Sequence, residues 1–399
     1  MDVKIYSGRL SGKFQAPSNK QTAILNLAVS SLCSGMTMVN ARALPSFATS
    51  VIHGLKSLGA TIRELDGTYM VSEYERVEDR VFLNVKNNAS TLRFLLPIAC
   101  ILYDTVEYEG DDGLKKQSFA DVLYALKGVG FTAERLPFIV RGKLESGDYR
   151  LTGGEGANFV SGLMIALCTL PNDSTITFTG KLQGKAGVDA CVKVLSDFSV
   201  KVESIENGFF IKGGQTFIYP RTIDTEGDFL ASSTILALKN LGEDVQVLGL
   251  EEKSFQQDKR ITSLLEKVKT DSVVEVKSRI DLLPVLCAFA GLLNKKTTLV
   301  LEPIKDNVSL RINECFDILV KFGVNVKKLP DGLEIEGGKP LKGGFMIDCY
   351  KSTPLVYAIT LLALYSSEPV TILGAGAVNK QNPSFFNDLI KLGGRVETI

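Results

Sequence analysis

The stretch GVDACVKVLSDFSVKVESI (187–205) joins an amphipathic helical pattern to a short strand, and the same succession occurs six times along the chain. In each copy the apolar residues follow the helical period up to a turn, after which the spacing alternates as in a strand. Four copies end the helix on glycine, which suits a left-handed C-cap. The other copies, mostly about 70 residues apart, are VIHGLKSLGATIREL (51–65), FADVLYALKGVGFTAERL (119–136), ITSLLEKVKTDSVVEV (261–276), NECFDILVKFGVNVKKL (313–329) and FFNDLIKLGGRVETI (385–399).

A second element lies between these copies and also occurs six times. It consists of an apolar helix, a polar turn and a strand rich in Thr and Val. Because this helix is apolar almost all round, we expect it to be buried inside a domain, with the amphipathic helices outside it. The copies are TAILNLAVSSLCSGMTMVNA (22–41), TLRFLLPIACILYDTVEYEG (91–110), FVSGLMIALCTLPNDSTITFTG (159–180), FLASSTILALKNLGEDVQVLG (229–249), LLPVLCAFAGLLNKKTTLVLE (282–302) and PLVYAITLLALYSSEPVTILG (354–374).

Together the two elements predict six units of strand, helix, strand, helix and strand. Such a unit is longer than a solenoid repeat of 20–50 residues. Three units closing around their own buried helices would make one globular domain, and two such domains would account for the chain. The pattern therefore predicts an α/β protein of two domains, although periodicity alone does not establish the three-plus-three closure.

Composition excludes several classes of function. Lys plus Arg and Asp plus Glu number 45 each, so the chain has no global field that attracts nucleic acid or an anionic membrane. The N-terminal MDVKIYSGRL is not typical of a signal peptide, and the longest apolar run, 354–365, is too short to span a bilayer.

Seven scattered cysteines without a CxxC pattern indicate buried free thiols in a reducing cytoplasm. The one histidine, His53, lies in a helical run and is interpreted as structural.

Eight segments in collinear order resemble the enolpyruvyl transferase family. The loop EGDDGLKKQSF (109–119) lacks the cysteine of the branch that acts on UDP-N-acetylglucosamine, so the chain most resembles the shikimate branch, the 5-enolpyruvylshikimate-3-phosphate synthases. The segments are APSNKQTAILNLA (16–28), NNASTLRFLLPIA (87–99), ANFVSGLMIALCTL (157–170), TEGDFLASSTILA (225–237), SFQQDKRI (254–261), DLLPVLCAFAGL (281–292), LRINECFDILVKFG (310–323) and NKQNPSFFNDLIKLGG (379–394).

The resemblance implies a fold, a reaction and its partners. The fold is an inside-out α/β barrel of six βαβαββ-type repeats, with residues 1–14 plus 225–399 in domain I, residues 15–224 in domain II, and an active-site cleft between them. The reaction transfers the enolpyruvyl group of phosphoenolpyruvate to the 5-hydroxyl of shikimate-3-phosphate, releasing phosphate. The expected partners are these small anionic substrates, with no nucleic acid, membrane, cofactor or metal, and the expected state is a cytoplasmic monomer.

The same resemblance implies the site residues. Two are expected to be catalytic: Lys20 matches the lysine that contacts both substrates, and Asp281 matches the acceptor-side acid/base. Binding roles follow for Arg311, at a phosphoenolpyruvate-binding arginine, and for the C-terminal Lys380. Further binding positions are Gln21, Arg93, Gln117 and Asn158. Arg93 lies in an apolar run, so it requires a partner, whereas Asp281 is also suited to capping the helix that follows it.

Several family residues are replaced in this chain, and most replacements remove charge or hydrogen-bonding groups. Lys115, Lys116 and Lys351 lie beside lost positions, but a lysine replaces the bidentate fork of an arginine poorly. The replaced positions are Leu25 for an arginine, Gln21 for a serine, Gly156, Ala157 and Asn158 for Ser-Ser-Gln, Gln117 and Tyr350 for two arginines, Asn307 and Val308 for Lys-Glu, and Ala89 for a glycine.

These replacements leave three hypotheses open. The first is a shikimate-pathway enzyme of aromatic amino acid biosynthesis, with weakened affinity for shikimate-3-phosphate. The second is an enolpyruvyl transferase that acts on another acceptor. The third is an inactive paralogue that binds a ligand or partner. Retention of Lys20, Asp281 and Arg311 favours an enzyme, and the losses favour the other two hypotheses.

Overall fold

The structure, a computed structural model, describes residues 1–75, 80–276, 280–301 and 306–399, with the backbone alone for 306–308. The chain forms two compact units. The first unit comprises Met1–Pro17 and Glu226–Ile399, and the second comprises Ser18–Thr225. Each unit encloses its own hydrophobic core. Helices and strands are numbered below along the whole chain.

The second unit contains three sheets with one shared strand order. Its strands are β3 (Thr37–Asn40), β4 (Ala60–Leu65), β5 (Thr68–Tyr74), β6 (Arg80–Asn84), β7 (Thr105–Glu109), β8 (Val129–Phe131), β9 (Phe138–Gly142), β10 (Asp148–Leu151), β11 (Ser174–Phe178), β12 (Val202–Ile205), β13 (Gly208–Ile211) and β14 (Thr222–Asp224). The orders are β14-β3-β5-β4, β6-β7-β9-β8 and β10-β11-β13-β12. In each sheet the first pair is parallel and the remaining pairs are antiparallel. The unit is therefore a threefold structural repeat.

The first unit repeats this order in two sheets, β20-β21-β1-β22 and β16-β17-β19-β18, and adds the parallel pair β15-β2. Its strands are β1 (Val3–Ile5), β2 (Gly12–Gln15), β15 (Val245–Leu248), β16 (Val273–Val276), β17 (Lys296–Leu301), β18 (Asn325–Leu329), β19 (Gly332–Glu336), β20 (Met346–Asp348), β21 (Val370–Leu373) and β22 (Val396–Thr398). Strand β1 lies between β21 and β22, with Val3 opposite Ile372 and Thr398. The N-terminal strand thus belongs to the same unit as the C-terminal half of the chain.

Six helices form the interior of the two units. They are α1 (Lys20–Ser30), α3 (Ala89–Leu102) and α6 (Ala157–Thr169) in the second unit, and α8 (Ser233–Asn240), α10 (Leu283–Leu292) and α12 (Thr353–Ala363) in the first. Every residue of α12 is buried, as are Phe159 to Cys168 of α6. The buried apolar helices and the six-repeat α/β fold expected from the sequence are confirmed.

The remaining helices are amphipathic or short. They are α2 (Ser46–Ser57), α4 (Asp112–Lys115), α5 (Ala120–Leu123), α7 (Lys185–Asp197), α9 (Arg260–Thr270), α11 (Asp306–Lys321) and α13 (Phe385–Lys391). All four glycines expected at C-caps, namely Gly59, Gly128, Gly323 and Gly393, have positive φ. The helix predicted within 119–136 is shorter than expected, since only the single turn α5 forms there. No described helix is long and apolar enough to cross a membrane.

Candidate functional site

Lys20 and Gln21 occupy the first turn of α1 in the second unit. The side chain of Asn19 caps this helix by accepting hydrogen bonds from the backbone N–H groups of Gln21 and Thr22, at 3.0 and 3.1 Å. The cap fixes where the helix begins and therefore where Lys20 lies. Lys20 is half-buried and forms no ion pair with any residue that the structure describes. Its ammonium thus remains available to an anion beside a helix N-terminus.

The start of α6 lies close to the starts of α1 and α7. A Cβ added at Gly187 of α7 would lie 3.3 Å from the Cβ of Ala157 and 3.9 Å from Gln21. Gly156 precedes α6 with a φ of 85° and offers no side chain to cap it. Three helix N-termini therefore converge. The N–H groups of Gln21 and Thr22 in α1 already serve Asn19, whereas the first backbone N–H groups of α6 and α7 suit an acidic ligand group.

Two amide side chains in this region have buried atoms without a hydrogen-bond partner. They are Nε2 of Gln21 and Oδ1 of Asn158, and neither has a partner among the described residues. Buried polar atoms are hydrogen-bonded in most proteins. One of these atoms is a donor and the other is an acceptor.

Arg93 has the partner that its apolar surroundings require. Its Nη1 and Nη2 donate to the two carboxylate oxygens of Asp121, at 2.6 and 3.1 Å, and its guanidinium lies over the ring of Phe119. Nη1 also lies 3.4 Å from the carbonyl oxygen of Glu155, just before α6. Arg93 thus joins α3 to the start of α6, and Asp121 compensates its charge.

The loop after β7 holds Gln117 and two lysines. Gln117 is exposed, and its side chain forms no hydrogen bond with the described residues. Lys115 lies 3.0 Å from Glu109 and 3.6 Å from Asp112. Its hydrogen bond to Glu109 lowers the pKa of that carboxyl and raises the pKa of the lysine itself. Lys115 is therefore engaged within the loop, whereas Lys116 is exposed.

In the first unit, Arg311 of α11 lies between three partners. Its Nη1 donates to Oε2 of Glu314 at 2.8 Å and to Oγ of Ser352 at 2.7 Å. Its Nη2 lies 3.9 Å from Oδ1 of Asp281. Arg311 and Glu314 are 18% and 14% exposed, whereas Asp281 is 42% exposed. The structure thus brings Asp281 and Arg311 together.

Asp281 does not cap α10, so that expectation from the sequence is wrong. It lies in the 3₁₀ turn Ile280–Leu282, and the N-cap of α10 is Leu282, without a side-chain capping bond. The added turn moves the helix start past the aspartate. The Asp281 carboxylate is therefore not committed to capping α10, and among the described residues its ion-pair partner is Arg311, at 3.9 Å.

Lys380 ends the 3₁₀ segment Ala375–Lys380, and its Nζ lies 3.4 Å from the carbonyl oxygen of Lys351. Tyr350 and Lys351 have φ of 50° and 53°, a left-handed conformation that costs non-glycine residues about 1–2 kcal/mol each. Consecutive residues held in this conformation are a feature of functional sites. No described contact joins Lys380 to Arg311.

The sequence did not reveal Glu314 and Ser352 as neighbours of Arg311. The spacing of Arg311 and Glu314, three residues apart on one helix, is a recognisable sign of an ion pair. Ser352 is 41 residues away along the chain and carries no comparable signal. The side chains of Asn307 and Val308, which replace a Lys-Glu pair, lie outside the described residues. Within the described residues, no group of three or more His, Cys, Asp or Glu side chains could hold a metal ion.

Comparisons with known proteins agree over almost the entire chain. The family model for EPSP synthase (3-phosphoshikimate 1-carboxyvinyltransferase) matches residues 5–389. The 3-phosphoshikimate 1-carboxyvinyltransferase of Clostridium novyi (strain NT) is 29% identical, and that of Clostridioides difficile (strain 630) is 27% identical. Each alignment covers 99% of this chain and 98% of the relative.

Two solved structures have the same fold. EPSP synthase from Acinetobacter baumannii aligns with a TM-score of 0.85 over 100% of both chains, at 18% identity. The enolpyruvyl transferase NikO from Streptomyces tendae aligns with a TM-score of 0.71, at 14% identity, over 99% of this chain and 98% of its own. The fold is therefore that of an enolpyruvyl transferase.

Proposed function

Because the chain belongs to the EPSP synthase family, we propose that it transfers the enolpyruvyl group of phosphoenolpyruvate to the 5-hydroxyl of shikimate-3-phosphate. The reaction joins the acceptor oxygen to C2 of the enolpyruvyl group and releases inorganic phosphate. It requires one group that removes the hydroxyl proton and one that protonates the methylene carbon. That carbon loses a proton again as the bond from C2 to the phosphate oxygen breaks, which restores the vinyl group. It also requires cations for the donor's phosphate and carboxylate.

The proposal assigns a role to each described cluster. Asp281 removes the acceptor's hydroxyl proton, and Arg311 and Lys380 bind phosphoenolpyruvate. Lys20 contacts both substrates and acts with Asp281 in catalysis. Gln21, Asn158 and the N-termini of α1, α6 and α7 bind the acceptor, while Arg93 supports the start of α6. Gln117 is assigned a weaker, neutral contact with phosphoenolpyruvate, since it carries no charge.

The observation that carries the proposal is the neighbourhood of Asp281. Its carboxylate is partly open to solvent, is not used as a helix cap, and lies 3.9 Å from an arginine. A carboxylate with these properties suits proton transfer beside an anionic donor. We also propose that the protein acts as a monomer in the cytoplasm.

The test is to mix the protein with phosphoenolpyruvate and shikimate-3-phosphate and to measure phosphate release. We expect release that requires both substrates. The variant Asp317→Asn serves as the control for replacing a carboxylate near the site, because Asp317 is an exposed carboxylate on α11 with no described contact to Arg311. Phosphate release that is independent of the acceptor would contradict the proposal.

A second candidate is transfer to a different alcohol. It is favoured by Gln21 and Asn158, whose uncharged amide side chains suit hydroxyl groups, and by Gly156 and Ala157, which lack hydrogen-bonding side chains where the resemblance implies serines. Phosphate release with another alcohol, and none with shikimate-3-phosphate, would establish it. If no alcohol supports release, the inactive-paralogue hypothesis stands.

A further inference from the structure

Arg311 has one terminal nitrogen fully engaged within the protein. Each terminal nitrogen of a guanidinium carries two N–H groups. Those of Nη1 serve Glu314, at 2.8 Å, and Ser352, at 2.7 Å. Nη2, 3.9 Å from Asp281, and Nε have no close partner among the described residues. Arg311 therefore lacks a free pair of terminal nitrogens, and it can offer two N–H groups to a carboxylate or phosphate only through Nη2 and Nε.

The negative charges beside Arg311 also oppose the binding of an anion there. Asp281 and Glu314 both face the one guanidinium of Arg311, so the three side chains sum to one negative charge when ionised. The Arg311–Glu314 pair is largely shielded from water, with exposures of 18% and 14%. Water therefore screens the carboxylate less than it would screen a surface pair. An anion that approaches Arg311 meets a guanidinium whose charge is already compensated.

We propose that Glu314 is a specificity-determining residue that acts as an internal counter-ion of Arg311. An anionic substrate group must displace its carboxylate before Arg311 can bind that group through both terminal nitrogens. Glu314 thereby lowers the affinity of this site for phosphoenolpyruvate. The inference rests on the proposed role of Arg311 as a donor-binding residue.

The test compares phosphoenolpyruvate binding to the full chain and to Glu314→Gln, measured by titration calorimetry. Glutamine keeps the size of the side chain and an oxygen that accepts from Nη1, but it removes the negative charge. We expect binding to become about tenfold tighter, because a neutral amide holds the guanidinium more weakly than a carboxylate does and leaves its positive charge to the ligand. Glu314→Ala, which releases the N–H of Nη1 that serves Glu314 and leaves the bond to Ser352, should give an equal or larger gain. Thermal melting checks that both variants remain folded.

Two controls locate the effect. Asp317→Asn removes the same charge one turn further along α11, where the side chain is exposed and makes no described contact with Arg311. It should change the affinity less than twofold, because exposed charges are screened. In the background of Arg311→Gln, the Glu314→Gln change should give no gain.

Steady-state kinetics provide a second readout. If turnover occurs, Glu314→Gln should lower KM for phosphoenolpyruvate about tenfold and change kcat less. Unchanged or weaker binding in both Glu314 variants, or no binding to any form of the protein, overturns the inference. A gain in binding without turnover would retain the inference and contradict the proposed function. Turnover without any gain in phosphoenolpyruvate binding would contradict the inference and retain the proposed function.

Discussion

Asp281 is the residue on which the proposed chemistry depends most. Its carboxylate is 42% exposed, and its contact with Arg311 is long, at 3.9 Å. Such a loose, partly exposed ion pair contributes little to stability. Replacing Asp281 should therefore lower turnover if the residue transfers a proton, and should lower stability if the residue mainly supports folding.

We expect Asp281→Asn to reduce turnover by about 10²–10⁴-fold, since it removes a positioned acid/base group. The melting temperature should change little, because the side chain does not cap α10 and, among the described residues, forms no ion pair shorter than 3.9 Å. Initial rates of phosphate release and thermal melts measure the two effects, with Asp317→Asn as the matched change. Full turnover in Asp281→Asn would show that this carboxylate takes no part in the reaction.

The acceptor-binding residues predict weak affinity for shikimate-3-phosphate. Leu25 is buried and apolar at a position where the resemblance implies an arginine, and Gly156 and Ala157 bring no hydrogen-bonding side chain to the start of α6. We expect titration calorimetry to give a dissociation constant weaker than micromolar. Micromolar or tighter binding would mean that other residues, such as Lys20, supply the lost contacts.

Among the helices, α3 and α6 pack closely in the second unit. Gly162 of α6 faces the backbone of α3, and a Cβ added there would lie 2.1 Å from the carbonyl oxygen of Phe94. Helix backbone does not yield as a flexible side chain does, so any larger residue would push the two helices apart. The glycine is thus required by the packing of the core.

Gly162→Ala should therefore destabilise the protein by about 1–3 kcal/mol, as overpacked cores do. Gly130→Ala is a matched control, because a Cβ at Gly130 would meet no atom within 4 Å. Denaturant unfolding of the two variants measures the difference. Equal stability of Gly162→Ala and Gly130→Ala would contradict the close packing of α3 on α6.

The repeated pattern predicts these elements well, because periodicity reports directly on which helix face is buried. It overestimates α5, where Gly128 and Gly130 follow closely and Val129 already pairs with Gly142 in the sheet. It also gives no information on side chains that meet across long separations. Arg93 and Asp121 are 28 residues apart, and their contact follows from the packing of elements. The same holds for Arg311 and Ser352.

Over the whole molecule, all seven cysteines are buried as free thiols, as expected from their apolar surroundings. Burial raises the pKa of Cys33, Cys100 and Cys191 to about 12. Thiolate, not thiol, is the reactive form. At pH 8 a thiol with this pKa is ionised in only about one molecule in ten thousand.

We expect native protein to react very slowly with a thiol-specific disulfide reagent at pH 8 and to react at all seven positions once unfolded. The rate in the native state should follow the opening of the structure. Absorbance of the released thiolate measures both. Rapid reaction of one or more thiols in the folded protein would contradict their burial.

The central claim is that this chain transfers an enolpyruvyl group. Phosphoenolpyruvate with a carbon label in its enolpyruvyl group tests the claim most directly, by NMR detection of the label after reaction with shikimate-3-phosphate. We predict a labelled enol ether of the acceptor in the same amount as the phosphate released. Phosphate without labelled ether, or no reaction with shikimate-3-phosphate or any other alcohol, would contradict the claim.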